Sequence, residues 1–302
     1  MRSKMLVSSK ELVDAGKAGG YAVGAFNAVN MESVQAIFSA AEKERAPFII
    51  QVTQTTMSYT KAEELTAIIF ALAERATVPF ALHLDHGRSF GIVMKFLRMG
   101  FTSVMIDGSL QEDGKTPRTY EENVEVTRKV IEAAHSIGVS VEAEIGRLGQ
   151  IGEDSGTALT DPEEAERFVK DVGDIDMLAV AIGTRHGLFK GRPIIRSDRV
   201  KEISDRIKLP LVMHGGTGVP DEDVQSAIKA GIAKVNIDTQ IRVAFYEAVR
   251  DAVLATEKEH AKADASGDTR KYDIRKILSP GRDAMTEAIA EKMRLFGSSG
   301  KA

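Results

Sequence analysis

Eight short apolar runs recur along the chain, at residues 21–26, 48–53, 80–84, 103–106, 140–144, 177–182, 211–213 and 234–237, with helical patterns between them. The runs are continuous rather than alternating, the pattern of strands buried on both faces and therefore of a parallel sheet. Amphipathic helices are predicted over 31–45, 62–76, 120–137 and 162–172. The last begins at Asp161-Pro162-Glu163-Glu164, an Asp cap with Pro at the first helical position and acids in the first turn. Gly100, Gly138 and Gly231 close helices just before the next run. Eight β–α alternations over about 240 residues predict an α/β fold, a (β/α)8 TIM barrel, as a single domain over 1–302. A doubly wound sheet fits less well, since no Gly-x-Gly-x-x-Gly follows the first run and no Walker A sequence occurs. A polar helix and loop over 249–273 and an amphipathic helix over 274–296 are predicted as a C-terminal helical extension covering the barrel. Residues 109–119 read as an exposed loop.

Composition narrows the function. With 302 residues, 43% of them hydrophobic, the chain can bury a large core. It has no cysteine, which excludes disulfides, thiolate metal sites and cysteine nucleophiles, so any metal must be held by His, Asp, Glu or backbone oxygen. Forty basic residues against 44 acidic speak against a nucleic-acid partner. No run approaches ~18 consecutive apolar residues, and residues 1–10 lack the apolar segment of a signal peptide. A soluble, cytoplasmic protein without a membrane partner is expected.

In a barrel the C-terminal ends of all eight strands meet at one face, and that face carries the active site. The predicted ends hold Asn27, Thr53-Gln54, His83-Leu84-Asp85-His86, Asp107, Glu142 and Glu144, Thr184-Arg185-His186-Gly187, His214-Gly215-Gly216-Thr217 and Asn236-Ile237-Asp238-Thr239. His86, His186 and His214 lie 100 and 28 positions apart, so no local motif joins them, yet the fold would bring them together. Three neutral imidazoles with an open fourth position suit catalytic zinc; separate core or loop histidines are the alternative. Asp85, one residue from His86, suits a general acid/base, or a carboxylate that orients a ligating His; the first is favoured. The glycines around strand ends six and seven suit either tight turns or a phosphate cradle.

At this point His83-Leu84-Asp85-His86-Gly87, 141–149, 181–187, His214-Gly215-Gly216-Thr217-Gly218 and Lys234-Val235-Asn236-Ile237-Asp238-Thr239 resemble, in order, the motifs of the class II ketose-bisphosphate aldolases. The resemblance runs to the closing residues 295–302, is nearest to fructose-1,6-bisphosphate aldolase, and implies metal-dependent, reversible aldol cleavage in carbohydrate metabolism. It implies one catalytic Zn2+ per subunit on His86, His186 and His214, with Glu144 at an adjoining or alternate metal position. Asp85 would take the C4 hydroxyl proton, Asn236 would steady the enediolate, and Glu153 would handle the C1 proton. Gly187, Lys190, Gly215, Thr217, Asp238 and Thr239 would bind the dihydroxyacetone phosphate end, near a monovalent-cation site. Arg242 would meet the second phosphate, and Arg275 would reach a neighbouring subunit in a homodimer or homotetramer. Asn27 and Thr53 complete the expected substrate-binding set. The chain departs from the family pattern at Arg185, at 53–56 and at Gly152. The alternatives are tagatose 1,6-bisphosphate or another phosphorylated ketose as substrate, a barrel isomerase or epimerase using Asp85 and Glu144, and a non-catalytic phospho-sugar binding protein.

Overall fold

The architecture is seen in a computed structural model that describes residues 3–146, 159–187, 191–263 and 273–302, with 258–263 described by backbone alone. Eight strands form: β1 (Val23–Asn27), β2 (Phe48–Thr53), β3 (Phe80–Gly87), β4 (Ser103–Ile106), β5 (Ser140–Ile145), β6 (Met177–Val180), β7 (Leu211–Met213) and β8 (Ile232–Ile237). They pair in parallel in chain order, and β8 closes onto β1, with Gly24 beside Val235 and Ala25 beside Asn236. The barrel expected from the repeat is the barrel observed.

Ten α-helices are described: α1 (Ser9–Gly19), α2 (Met31–Glu44), α3 (Ala62–Ala73), α4 (Phe90–Arg98), α5 (Tyr120–His135), α6 (Pro162–Val172), α7 (Ser197–Arg206), α8 (Asp221–Ala230), α9 (Thr239–Ala263) and α10 (Ile274–Leu295). Helices α2 to α9 each follow one strand. Several of their starts are encoded locally. Asp161 caps α6 by accepting from the Glu163 and Glu164 amides, and Thr119 with Glu122 makes a reciprocal capping box on α5. The extension is in place: α10 packs on α9 and α2, and the Phe296 carbonyl accepts from the Ala22 amide at 3.0 Å. Among the described residues no helix is long and apolar enough to cross a membrane.

Two apolar layers result. The larger lies between strands and helices, where Phe38, Phe48 and Phe80 meet with ring centroids 5.1–5.3 Å apart. The smaller fills the lower half of the barrel with Val23, Ala25, Ile49, Ala81, Met177, Ala179, Val212 and Ala233. Helix α1, absent from the sequence reading, closes that end. Its Leu12 and Val13 join the inner layer, and its start is a capping box between Ser8 and Glu11. Sealing the bottom leaves the C-terminal mouth as the open end.

Candidate active site

Above the apolar layer the barrel interior turns polar. Side chains alternate along a strand, so β3 sends His83 and Asp85 inward, β5 sends Glu142 and Glu144, β8 sends Lys234 and Asn236, and β2 sends Gln51. All seven are buried. Burial of so many polar groups is tolerable only if they satisfy one another, and they largely do. The Glu142 carboxylate accepts from His214 Nε2 and from Lys234 Nζ, each at 2.7 Å. Burial would push the Glu142 carboxyl up; the Lys234 ammonium and the His214 hydrogen bond outweigh it and hold the group well below the usual carboxylate range. His83 bonds Ser103 Oγ at 2.7 Å. Burial and the Lys234 charge push its pKa down to about 3, so it stays neutral.

The three histidines converge just above. One ring nitrogen from each of His86, His186 and His214 lies within 4.8 Å of the others. His86 reaches this cluster by a backbone device. Strand alternation would aim it at the helix layer, like Leu84. Instead the β3–β4 register shifts between Leu84 and Gly87, and His86 adopts a left-handed φ of 52°. That conformation is uncommon for a non-glycine residue, and here it turns the His86 ring toward the other two histidines. The run predicted over 80–84 is longer in the structure, where the strand continues through His86 to Gly87.

The second ring nitrogens fix the tautomers. His214 Nε2 faces Glu142, and His86 Nδ1 faces Asp107 Oδ2 at 3.2 Å. Asp107 is itself held by Ser109 Oγ at 2.7 Å. This leaves His86 Nε2 and His214 Nδ1 facing each other at 3.1 Å. Two imidazole ligands of one tetrahedral zinc would stand about 3.3 Å apart, so the donor set fits such an ion. Each of these two imidazoles backed by a carboxylate is the usual support for a metal ligand. Burial and the neighbouring His86 push the His186 pKa down to about 3, and burial lowers that of His214. Burial would lower His86 as well, but Asp85 and Asp107 carry it up to about 10. Glu144 Oε2, buried and without a partner among the described residues, adjoins the cluster.

Asp85 is fixed from three sides. Its Oδ2 accepts from Asn27 Nδ2 at 3.0 Å and Gln51 Nε2 at 3.3 Å, and its Oδ1 accepts from Asn236 Nδ2 at 3.3 Å. Burial would raise its pKa; His86, His214 and Lys234, with the Asn27 hydrogen bond, bring it below the usual range. The carboxylate borders a cavity of about 450 Å3 together with His86, His186 and Glu144. Asn27 and Thr53 line the same cavity, as do Gly187, Gly215, Thr217, Asp238, Thr239 and Arg242. His214 sits fully buried just beneath. Gly215, at φ 65°, lies so close to the Arg185 peptide that any side chain would collide with it. Arg242 forks onto Asp238 at 2.8 and 2.7 Å. Arg275 lies elsewhere, at the start of α10, 86% exposed and paired with Asp273. Glu153 and Lys190, and with Lys190 part of the expected monovalent-cation region, lie outside the described residues.

Gln51, Lys234, Glu142, Asp107 and Arg88 had no site role in the sequence reading. The first three carry a signal it did not use: a polar residue at i and i+2 within an otherwise apolar run, as at Gln51/Thr53, Glu142/Glu144 and Lys234/Asn236. Asp107 is legible as the polar end of the fourth strand but not as a partner of His86, and Arg88 carries no signal, because only the barrel brings them to their neighbours.

A closed parallel barrel with three histidines and a buried carboxylate at its C-terminal mouth defines a metal-site barrel enzyme. The model of the family "Fructose-bisphosphate aldolase class-II" matches residues 7–301, and the chain belongs to that family. It is 42% identical to the fructose-bisphosphate aldolase of Thermus caldophilus, covering 99% of this chain and all of that one. It is 40% identical to the sulfofructosephosphate aldolase of Alkalicoccus urumqiensis, covering 98% of each. The crystal structure of the YdjI aldolase from Escherichia coli K12 superimposes with a TM-score of 0.80 at 32% identity, covering 98% of this chain and 99% of the other.

Proposed function

We propose that the chain is a metal-dependent fructose-1,6-bisphosphate aldolase that reversibly yields dihydroxyacetone phosphate and glyceraldehyde 3-phosphate. The observation that carries this reading is the convergence of three imidazole nitrogens within 4.8 Å beside Asp85, in the mouth of a family-matched barrel. His86, His186 and His214 would hold the ion, and Zn2+ suits the donor set. When bound, the ion supplies Lewis-acid polarisation of the ketose carbonyl and its neighbouring hydroxyl. No lysine lines the cavity among the described residues, and Lys234 is fully buried against Glu142.

The residues then divide the work. Asp85, held as a carboxylate by three amides, accepts the C4 hydroxyl proton as the C3–C4 bond breaks and the C4 carbonyl forms. The bonding pair passes to C3 and onward to the C2 oxygen. Asn236, whose amide already points at Asp85, donates toward the oxygen where that charge develops. Glu153 returns a proton to the three-carbon fragment. Gly187, Gly215, Thr217 and Thr239, on the loops after β6 to β8, cradle the 1-phosphate with backbone amides and hydroxyls. Glu144 offers the ion an alternate oxygen ligand. The 302 residues act as one domain, and exposed Tyr246, Val253 and Leu254, spaced along one side of α9, support assembly into a homodimer or homotetramer.

Metal-stripped protein, reloaded with Zn2+, should cleave fructose 1,6-bisphosphate, with triose phosphate detected. Tagatose 1,6-bisphosphate and sulfofructose phosphate are the competing substrates, the latter because of the Alkalicoccus relative. A higher kcat/KM for either would reassign the sugar. Cleavage of none of the three by folded, loaded protein would defeat the aldolase reading.

A further inference from the structure

Two arginines line the cavity among the described residues, Arg88 and Arg242. The Arg242 charge is neutralised by its fork onto Asp238 one helical turn away. Arg88 has no such fork: its buried Nε lacks a hydrogen-bond partner and it makes no ion pair among the described residues, and Asp107, the carboxylate that feels its charge, is already hydrogen-bonded to His86 and Ser109. Its backbone is nevertheless held in place. The Arg88 amide donates to Gln54 Oε1 at 3.4 Å, and its carbonyl accepts from Arg118 Nη2 at 3.0 Å. The same Arg118 holds the Leu110 carbonyl, tying the loop after β4 to the loop after β3. Gly114, in the left-handed region at φ 66°, leaves room for the guanidinium; a side chain there would run into it. The chain thus positions a cation at the cavity wall with no side chain hydrogen-bonded or ion-paired to its guanidinium among the described residues.

The barrel order says what it faces. In a closed ring of eight strands the loop after β3 lies across the mouth from the loop after β7. The amides and hydroxyls suited to one phosphate are on the loops after β6, β7 and β8. The three histidines lie between, on β3 and after β6 and β7. A ketose anchored there by its 1-phosphate, with its carbonyl at the histidines, extends its other end toward the loops after β2, β3 and β4. Gln54, Thr55, Arg88 and Ser109 line the cavity on that side. A guanidinium is the group best shaped for a phosphate, which it can meet with two parallel N–H donors. We propose that Arg88 receives the second anionic group of the substrate and so selects bisphosphorylated ketoses over ketose 1-phosphates. This deepens the aldolase reading and rests on it.

The test uses the metal-loaded enzyme and ligands that lack the carbonyl and cannot be cleaved. Mannitol 1,6-bisphosphate and mannitol 1-phosphate are titrated calorimetrically into wild type, Arg88→Gln and Arg88→Lys. Wild type should bind the bisphosphate at least about tenfold more tightly than the monophosphate, the scale of one charge-assisted hydrogen bond. Arg88→Gln should lose most of that ratio while its affinity for the monophosphate changes by less than about twofold, and Arg88→Lys should retain an intermediate ratio. A wild type without the preference, a ratio unchanged in Arg88→Gln, or an equal weakening of both ligands would each overturn the assignment. Because binding is read without turnover, a failure of cleavage would defeat the aldolase reading while the ratio still decides the role of Arg88.

Discussion

At the scale of single residues, the barrel interior stakes stability on one ion pair. Glu142 and Lys234 are both fully buried, and removing one partner of such a pair leaves an uncompensated charge that costs about 3–5 kcal/mol. Lys234→Met should therefore lower the unfolding free energy by about that amount in denaturant titration, and adding Glu142→Gln should restore most of it. Additive losses would mean that the pair is not the stabilising unit. The titration of Glu144 has the opposite sign. Burial and the Asp107 charge raise its pKa well above normal. A raised folded-state carboxyl pKa costs stability wherever the unfolded chain would be ionised, above about pH 4, and costs nothing below. Metal-free Glu144→Gln should accordingly melt higher than metal-free wild type at pH 8, with the gap closing as pH falls toward 4. A gap independent of pH would separate the effect from ionisation.

At the scale of elements, the site depends on where strands stop and which ends are sealed. β3 brings His86 to the histidine cluster only because its register shifts at its last residues. A strand of ordinary register would have hidden His86 among the helices. Helix α1 works at the other end, where Leu12 and Val13 complete the inner apolar layer. Leu12→Ala should cost about 2–5 kcal/mol, the range for a large-to-small change in a core. Zn2+ affinity, measured by chelator competition, should stay unchanged, because the polar layer lies above the cavity created. A parallel fall in metal affinity would show that the two layers are mechanically coupled.

At the scale of the whole molecule, an ion held by β3 and by the loops after β6 and β7 would tie distant parts of the barrel together. A ligand that binds only the folded state stabilises it by mass action, about 4 kcal/mol at a thousandfold excess over Kd. Chelation should abolish cleavage and lower Tm together, and Zn2+ should restore both. Activity that survives complete chelation would remove the histidines from the mechanism. The same cross-barrel geometry explains how Asp85 can be buried with both carboxylate oxygens hydrogen-bonded. Its amide partners come from β1, β2 and β8, so no single segment has to provide the whole environment.

The barrel was legible in the sequence because each strand's burial on both faces is written as a largely apolar run without alternation, and several helices, α1, α2, α5 and α6 among them, carry their own caps. The three histidines were legible as a group only once the barrel was assumed, since 100 and 28 positions separate them. What the sequence could not convey is direction and partnership. Period-two alternation points His86 the wrong way, and only a left-handed residue within a shifted register turns it inward. Glu142, Lys234 and Asp107 acquire meaning from charges on other strands, and Arg88 from a buried Nε with no hydrogen-bond partner. Local chemistry fixes which elements form, because caps, breaks and periodicity act within a few residues. The site is decided by tertiary structure, because the energies that set it are pairwise and long-range in sequence, and exist only after the ring of strands has closed.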